Sequence, residues 1–257
     1  MIRRLRDSEY IELERLLKRD LARNYFTLLG ISSKKSPYKD IYGEFTEDGN
    51  LKAVLFLRKT GLVQFFTEGS FDLEGFSNVL RTLDYKGMIA PSSYSNRFLE
   101  EVVFSGAEPG AFISRLCADE KIFPNKHPYK IRSLVLKDLD EVVEIYQECF
   151  KSFAPRNVME DKLISARGRG VALEEKGRIL SLAQTDFESR DGALIVGVAT
   201  RTDYRNKGLA SYCLEELIEI LQREGKDLYL QYDNLEAGKI YERLGFKVID
   251  QVMHYIR

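Results

Sequence analysis

The sequence predicts an α/β (α+β) fold with mixed sheets, laid out as two halves of similar design. Apolar runs of strand length alternate with stretches of helical period along the chain. A length of 257 residues with 44% hydrophobic content is enough for one large core or two ordinary ones. The two halves also start alike, with Ile2-Arg-Arg-Leu5 and Ile131-Arg-Ser-Leu134 standing 129 positions apart.

Taken in order, each start is read as opening a helix, striped by Leu13, Leu16 and Leu17 in the first half and by Val142, Ile145 and Tyr146 in the second. A second polar helical stretch follows, then paired strands: Ile41 to Phe45 with Lys52 to Leu57, and Gly170 to Leu173 with Ile179 to Thr185. In the first half Leu62 to Phe66 stands where a central strand belongs. Phe123-Pro-Asn-Lys-His-Pro-Tyr129 has the composition of a linker, which puts the boundary near Asn125 and the domains at 1–125 and 129–257.

In the second half Ala193 to Ala199 reads as a buried strand and Tyr204-Arg-Asn-Lys-Gly-Leu-Ala210 as a basic turn. The helix after it carries Ala210, Cys213, Leu214, Leu217, Ile218 and Leu221 on one face and ends before Gly225. Leu228 to Tyr232 alternates as a strand, and Asp233 with Glu236 has capping-box spacing. A short helix to Leu244 and strand material from Phe246 to Ile256 complete the chain.

Net charge is −1, with 39 basic against 40 acidic residues, so no global field recruits nucleic acid or anionic lipid. Any anion site must be local. The first ten residues are too charged for a signal peptide and no apolar run has membrane-spanning length, which leads us to expect a soluble, cytoplasmic protein. Cys117, Cys149 and Cys213 are unpatterned and read as plain buried side chains. His127 and His254 lack ligand spacing, so no metal is expected, and His254 reads as structural or exposed. Nucleophile-elbow, nucleotide and dinucleotide signatures are missing.

The basic turn is where chemistry concentrates. A strand that runs through such a turn into a helix aims backbone N–H groups and positive charge at one small volume, which suits a phosphate. Gly208 lets the backbone approach such a group, Ala210 nearly does, and Arg205 and Lys207 add charge. Gly197 permits a bulge that splays two strands apart.

Arg205-Asn-Lys-Gly-Leu-Ala210 resembles the Arg/Gln-x-x-Gly-x-Gly/Ala signature of the GNAT superfamily of N-acyltransferases. Asn234 through Phe246, ending Ile240-Tyr-Glu-Arg-Leu-Gly-Phe246, resembles that family's second helical motif. The resemblance covers Tyr129 to Arg257, and the first half only in outline, so the chain reads as two GNAT-like halves with the first degenerate.

The resemblance implies acetyl-CoA as donor, with its diphosphate at Arg205, Asn206, Lys207, Gly208, Leu209 and Ala210. It implies that the pantetheine arm pairs with Val198, Ala199 and Thr200 as an added strand. Asn234, Ala237, Gly238 and Tyr241 lie along one helix face and can address the same ligand, and the resemblance implies Tyr241 as the general acid for the departing thiolate. Plainer readings stand beside these: Tyr241 as a core tyrosine, Asn234 as a helix start, Arg205 and Lys207 as a solvated basic turn. For Arg201 the solvated-turn reading is the preferred one.

The place where some family members carry a carboxylate base is Leu194 here, which leaves the base unassigned; Asp186, Glu188 or a water chain are the alternatives. Arg156, Arg167 and Arg169, in the acceptor-facing segment by resemblance, either meet an acidic acceptor or are solvated surface. Glu68, Asp72 and Glu74 stand in the first half where a diphosphate would need cations, so that half should not bind coenzyme A. Its expected work is to cover a sheet edge or to wall the acceptor cleft.

The leading expectation is an N-acetyltransferase in which a primary amine, on a small molecule or a peptide, attacks directly in a ternary complex. Proximity would supply much of the rate, and the N–H groups of the central strand would stabilise the oxyanion. A non-catalytic acyl-CoA sensor is the alternative. Aminoacyl transfer from tRNA, known for some proteins with two such halves, is disfavoured by the near-zero charge.

Overall fold

The computed structural model describes residues 1–33, 35–101, 103–117, 122, 124 and 127–257. The chain forms two compact units, Met1–Ile113 together with Val248–Arg257, and Ser114–Lys247. The segment Val248–Arg257, read from the sequence as part of the second half, therefore counts with the first unit. Of the linker read from Phe123 to Tyr129, residues Phe123, Asn125 and Lys126, and so the boundary near Asn125, lie outside the described residues.

The first unit runs β1 (Ile2–Arg4), α1 (Tyr10–Lys18), α2 (Leu21–Ile31), β2 (Tyr38–Phe45), β3 (Leu51–Arg58), β4 (Leu62–Thr67), α3 (Leu73–Thr82), β5 (Gly87–Pro91) and α4 (Ser92–Ser95). It continues with β6 (Gly106–Leu116), of which the residues to Ile113 belong here. Strands β1 to β4 pair antiparallel in sequence order, and β4 pairs parallel with β5 from Leu62↔Gly87 to Gln64↔Ile89. The returning segment Val252–Ile256 pairs antiparallel with β5. Burial of Phe65 against Phe71, Phe76 and Phe98, at ring separations of 4.8, 5.0 and 5.0 Å, fills the core of this unit.

The second unit repeats the order: β7 (Lys130–Ser133), α5 (Leu139–Cys149), α6 (Arg156–Ile164), β8 (Gly170–Glu175), β9 (Arg178–Glu188), β10 (Gly192–Thr200), α7 (Leu209–Arg223), β11 (Asp227–Tyr232) and α8 (Leu235–Arg243). The last strand, β12 (Phe246–Ile256), begins here. Strands β7 to β10 pair antiparallel in order, and β10 pairs parallel with β11. Val142, Ile145 and Tyr146 of α5 pack on Ala172, Leu182 and Ala199. Cys213, Leu214, Leu217, Ile218 and Leu221 of α7 are fully buried, as the three-and-four spacing requires.

The duplication extends to individual hydrogen bonds. Arg3 pairs with Glu9 at 2.5 Å and Arg132 with Asp138 at 2.7 Å, and each carboxylate also accepts a backbone N–H at the helix entrance, from Arg6 or Val135. Glu12 of α1 accepts the N–H of Leu51 at 2.6 Å, and Glu141 of α5 accepts that of Ile179 at 2.8 Å. Arg3, Arg6, Glu9 and Glu12 each stand 129 positions before Arg132, Val135, Asp138 and Glu141, and Leu51 stands 128 before Ile179, so the repeat lies in the wiring as well as in the order of elements.

One expectation is corrected. Ile2 to Leu5 and Ile131 to Leu134 do not open helices: β1 and β7 are short strands at the ends of their antiparallel runs, and the helices start after the capped turn. An apolar–basic–basic–apolar tetrad has too few residues to show a period, and pairing with β2 or β8 decides its state. No helix among the described residues is long and apolar enough to cross a membrane.

Candidate functional site

The site is created by a strand that loses its neighbour. Pairing between β10 and β11 runs from Gly192↔Asp227 to Ile195↔Leu230 and then stops. On the other side, the β10–β9 register shifts between Val196 and Ala199, where Gly197 adopts φ +57°. The bulge expected at Gly197 is therefore present, and the strands part beyond it. A cavity of about 590 Å³ opens there, walled by β10 from Ile195 to Thr200, β11 from Leu230 to Tyr232, Arg205, Asn206 and Gly208 to Ser211 after β10, and residues of α8.

The turn carries two left-handed residues, Asn206 at φ +61° and Gly208 at φ +76°. Gly208 is the N-cap of α7 and offers no side chain to satisfy the helix end. Ser211 and Tyr212 donate their N–H groups to the Gly208 carbonyl. Among the described residues, the N–H groups of Gly208, Leu209 and Ala210 have no acceptor within the protein. A Cβ on Gly208 would meet nothing within 4 Å, so the approach to these donors is open. Unpaired N–H groups at the positive end of a 15-residue helix make a receptor for an anion.

Most of the residues predicted from the sequence are brought together. Val198, Ala199, Thr200, Arg205, Asn206, Gly208, Leu209, Ala210, Asn234, Ala237 and Tyr241 all line the cavity. Two are not in its wall. The Lys207 ammonium turns to the Asp203 carbonyl at 3.4 Å and lies over the Tyr204 ring. Gly238 faces Tyr232, and a Cβ there would come within 2.5 Å of that ring, so its small size serves the packing of α8 on β11.

Tyr241 is buried, its ring 5.3 Å from that of Tyr232, and burial first, then the neighbouring phenol, pushes its hydroxyl up to about 12. It therefore stays protonated across the neutral range. Asn234, not Asp233, is the N-cap of α8: its side-chain oxygen accepts the N–H groups of Glu236 at 2.9 Å and Ala237 at 3.4 Å. Asn234 thus starts the helix and lines the cavity at once.

Arg205 donates from Nε to the Thr200 carbonyl at 3.2 Å and from Nη2 to the Glu148 carbonyl at 3.3 Å, with Cys149 Sγ also at 3.3 Å. Arg201 is not solvated. It is 5% exposed, pairs with Glu141, Glu144 and Glu148, and donates Nε to the Ile179 carbonyl, tying α5 to the sheet. Its own role is structural.

The residues considered for a base or an acceptor contact stand elsewhere. Leu194 is buried. Burial alone would raise the Glu188 carboxyl, but hydrogen bonds from Arg169, Lys226 and Thr185 overcome it and hold the group at about 2. A carboxylate so neutralised is a poor proton acceptor. Asp186 is outside the cavity wall. Arg156 is paired with Asp140 and Glu160, Arg169 with Glu188 and Glu224, and Arg167 donates to the Ser165 hydroxyl.

Sequence reasoning missed Cys149 and Phe150, at the end of α5, and Tyr232, all of which line the cavity. Alternation in β11 marked Tyr232 as strand but not as wall, and no spacing in α5 points to Cys149. Among the described residues, no three metal-ligating side chains stand close enough to hold an ion.

The corresponding helix end of the first unit differs. The N-cap of α3 is Asp72, whose carboxylate accepts the N–H of Gly75 at 2.8 Å, so that helix end carries its own anion. Glu68 is paired with Arg19.

The GNAT acetyltransferase family model matches residues 132–255. An uncharacterized N-acetyltransferase of Methanocaldococcus jannaschii is 24% identical over 147 residues, which is 50% of this chain and 65% of that protein's length. Among solved structures, a GNAT-family acetyltransferase from Colwellia psychrerythraea has a TM-score of 0.72 at 12% identity, covering 100% of this chain and 99% of its own. A tandem GNAT protein from the clavulanic acid biosynthesis pathway has a TM-score of 0.68 at 12% identity, covering 100% of this chain and 98% of its own. At such identities the likeness concerns the fold, and it extends over both halves.

Proposed function

Because the C-terminal half of this chain belongs to the GNAT superfamily, we propose that it transfers an acetyl group from acetyl-CoA to a primary amine by direct attack in a ternary complex. The observation that carries the reading is one cavity lined both by an uncapped helix end and by a buried, protonated tyrosine. Acetyl-CoA supplies an activated acyl carbon when bound. The N–H groups of Gly208, Leu209 and Ala210, with Arg205 beside them, suit its diphosphate. Beyond Ile195 the strand β10 offers backbone groups without a β11 partner, which suits an extended amide-bearing arm. Tyr241 holds a proton for a departing thiolate.

The acceptor is a small-molecule or peptide amine. Incubation with acetyl-CoA and a broad amine panel, read as free thiol, tests the reaction, and calorimetry with coenzyme A tests the site. Thiol release that requires an amine is the expected result. The absence of any heat on adding coenzyme A overturns the assignment.

The burial of Leu194 and the neutralised state of Glu188 favour one second reading, a module that senses acyl-CoA. Stoichiometric binding with no thiol released under any amine selects it.

A further inference from the structure

We propose that Lys162 is a positioning residue that acts through Gln184 and Tyr146 to polarise the Gly197–Val198 peptide in the cavity wall. The inference rests on the acetyl-transfer reading above.

Lys162, on α6, is 9% exposed, and its ammonium donates to the Gln184 side-chain oxygen at 3.1 Å. Burial lowers its pKa, and the charge of nearby Asp186 only partly offsets that. A methionine would fill similar space without the cost of burying an amine. The position therefore carries a donor where packing alone does not ask for one.

An ammonium can only donate, so the Gln184 oxygen must face it and the Gln184 amide nitrogen must face the other way. That nitrogen donates to the Tyr146 hydroxyl at 2.8 Å. Having accepted, the hydroxyl turns its own proton to the Gly197 carbonyl at 3.3 Å. The direction of all three hydrogen bonds is thus set at Lys162.

The chain ends on the bulge. A trans peptide holds its C=O and N–H antiparallel, so the Val198 N–H points away from Tyr146. Val198 lines the cavity, and at Gly197 and Val198 the strand has no register partner on β9 or β11. A carbonyl that accepts a hydrogen bond makes the N–H of the same peptide a better donor. Negative charge developing on an acyl oxygen during attack would be met by that donor.

The test compares wild type with Tyr146→Phe, Lys162→Met, their double variant and Lys162→Arg, using an amine that turns over. Each single loss should lower kcat about tenfold, with the KM for acetyl-CoA and the calorimetric Kd for coenzyme A unchanged. The double variant should be no slower than Tyr146→Phe, because Lys162 acts through that hydroxyl. Lys162→Arg should recover most of the rate. If Lys162→Met does not fold, Gln184→Leu breaks the same chain in its middle and carries the same expectation. Unchanged kcat, losses that multiply in the double variant, or a matching rise in Kd overturns the inference while leaving acetyl transfer in place. A wild-type protein that releases no thiol overturns both.

Discussion

The Tyr146 hydroxyl occupies the space that a side chain on residue 197 would need: a Cβ built on Gly197 overlaps it. Gly197 also holds φ +57°, which an L side chain adopts only at a cost. The bulge that parts β10 from β11 therefore depends on a glycine and a tyrosine together. Gly197→Ala should cost about 2 to 4 kcal/mol in urea unfolding, the left-handed strain and the overlap combined. Coenzyme A affinity should fall with it. In Tyr146→Phe/Gly197→Ala, where the hydroxyl is gone, part of the lost stability should return, and no recovery would separate the two residues.

Tyr241 is expected to act on turnover and not on binding. Tyr241→Phe should lower kcat about a hundredfold with the Kd for coenzyme A unchanged, since the ring remains and only the proton is lost. Its pKa of about 12 sets the pH behaviour. The acid form persists through neutral pH, so the wild-type rate should show no alkaline decline from this group until pH approaches 12. The neutral phenol is also the form favoured by folding, so its contribution to stability is complete below pH 10 and fades only as pH rises through about 12. Unaltered turnover in Tyr241→Phe removes the residue from the mechanism.

The contrast between Gly208 and Asp72, the two N-caps at matching places in the repeat, leads to a third expectation. Gly208→Asp would give α7 the carboxylate that already closes α3. An aspartate cap gains about 1 kcal/mol and a left-handed aspartate loses about as much, so stability should change by less than about 1 kcal/mol. Coenzyme A affinity should nevertheless drop more than about tenfold, because the helix end would face its own anion. Calorimetry beside thermal unfolding checks both halves of the statement.

Much of this site could be read from residue order because its chemistry is local. The turn from Arg205 to Ala210 is contiguous, and α8 brings Asn234, Ala237 and Tyr241 to one face by helical period alone. The strand split was legible in Gly197 for the same reason. What escaped depends on contacts distant in sequence: Cys149 reaches the cavity through the packing of α5 on β10, and Arg201 is buried by glutamates more than fifty residues away. Glu188 reads from the sequence as one of the alternative bases, whereas Arg169 and Lys226 arrive from other elements to neutralise it. The helical reading of Ile2 and Ile131 failed because strand pairing, and not local period, decides four residues.

Glu188 supplies the last expectation, and its sign follows from its environment. Burial opposes its charge, but Arg169, Lys226 and Thr185 hold it at about 2, below the ordinary value of 4.5. Its contribution to stability is therefore complete above about pH 4.5 and is lost as pH falls toward 2. Glu188→Gln leaves two cations short of a partner and should cost about 2 to 3 kcal/mol at neutral pH, with the difference from wild type shrinking through that acid window. The same substitution should leave the acidic limb of the kcat profile in place, because a group already ionised at pH 4 cannot produce a limb near neutrality. Urea unfolding at several pH values measures the first effect and a pH–rate profile the second. Disappearance of an acidic limb in Glu188→Gln would return this residue to candidacy as the base.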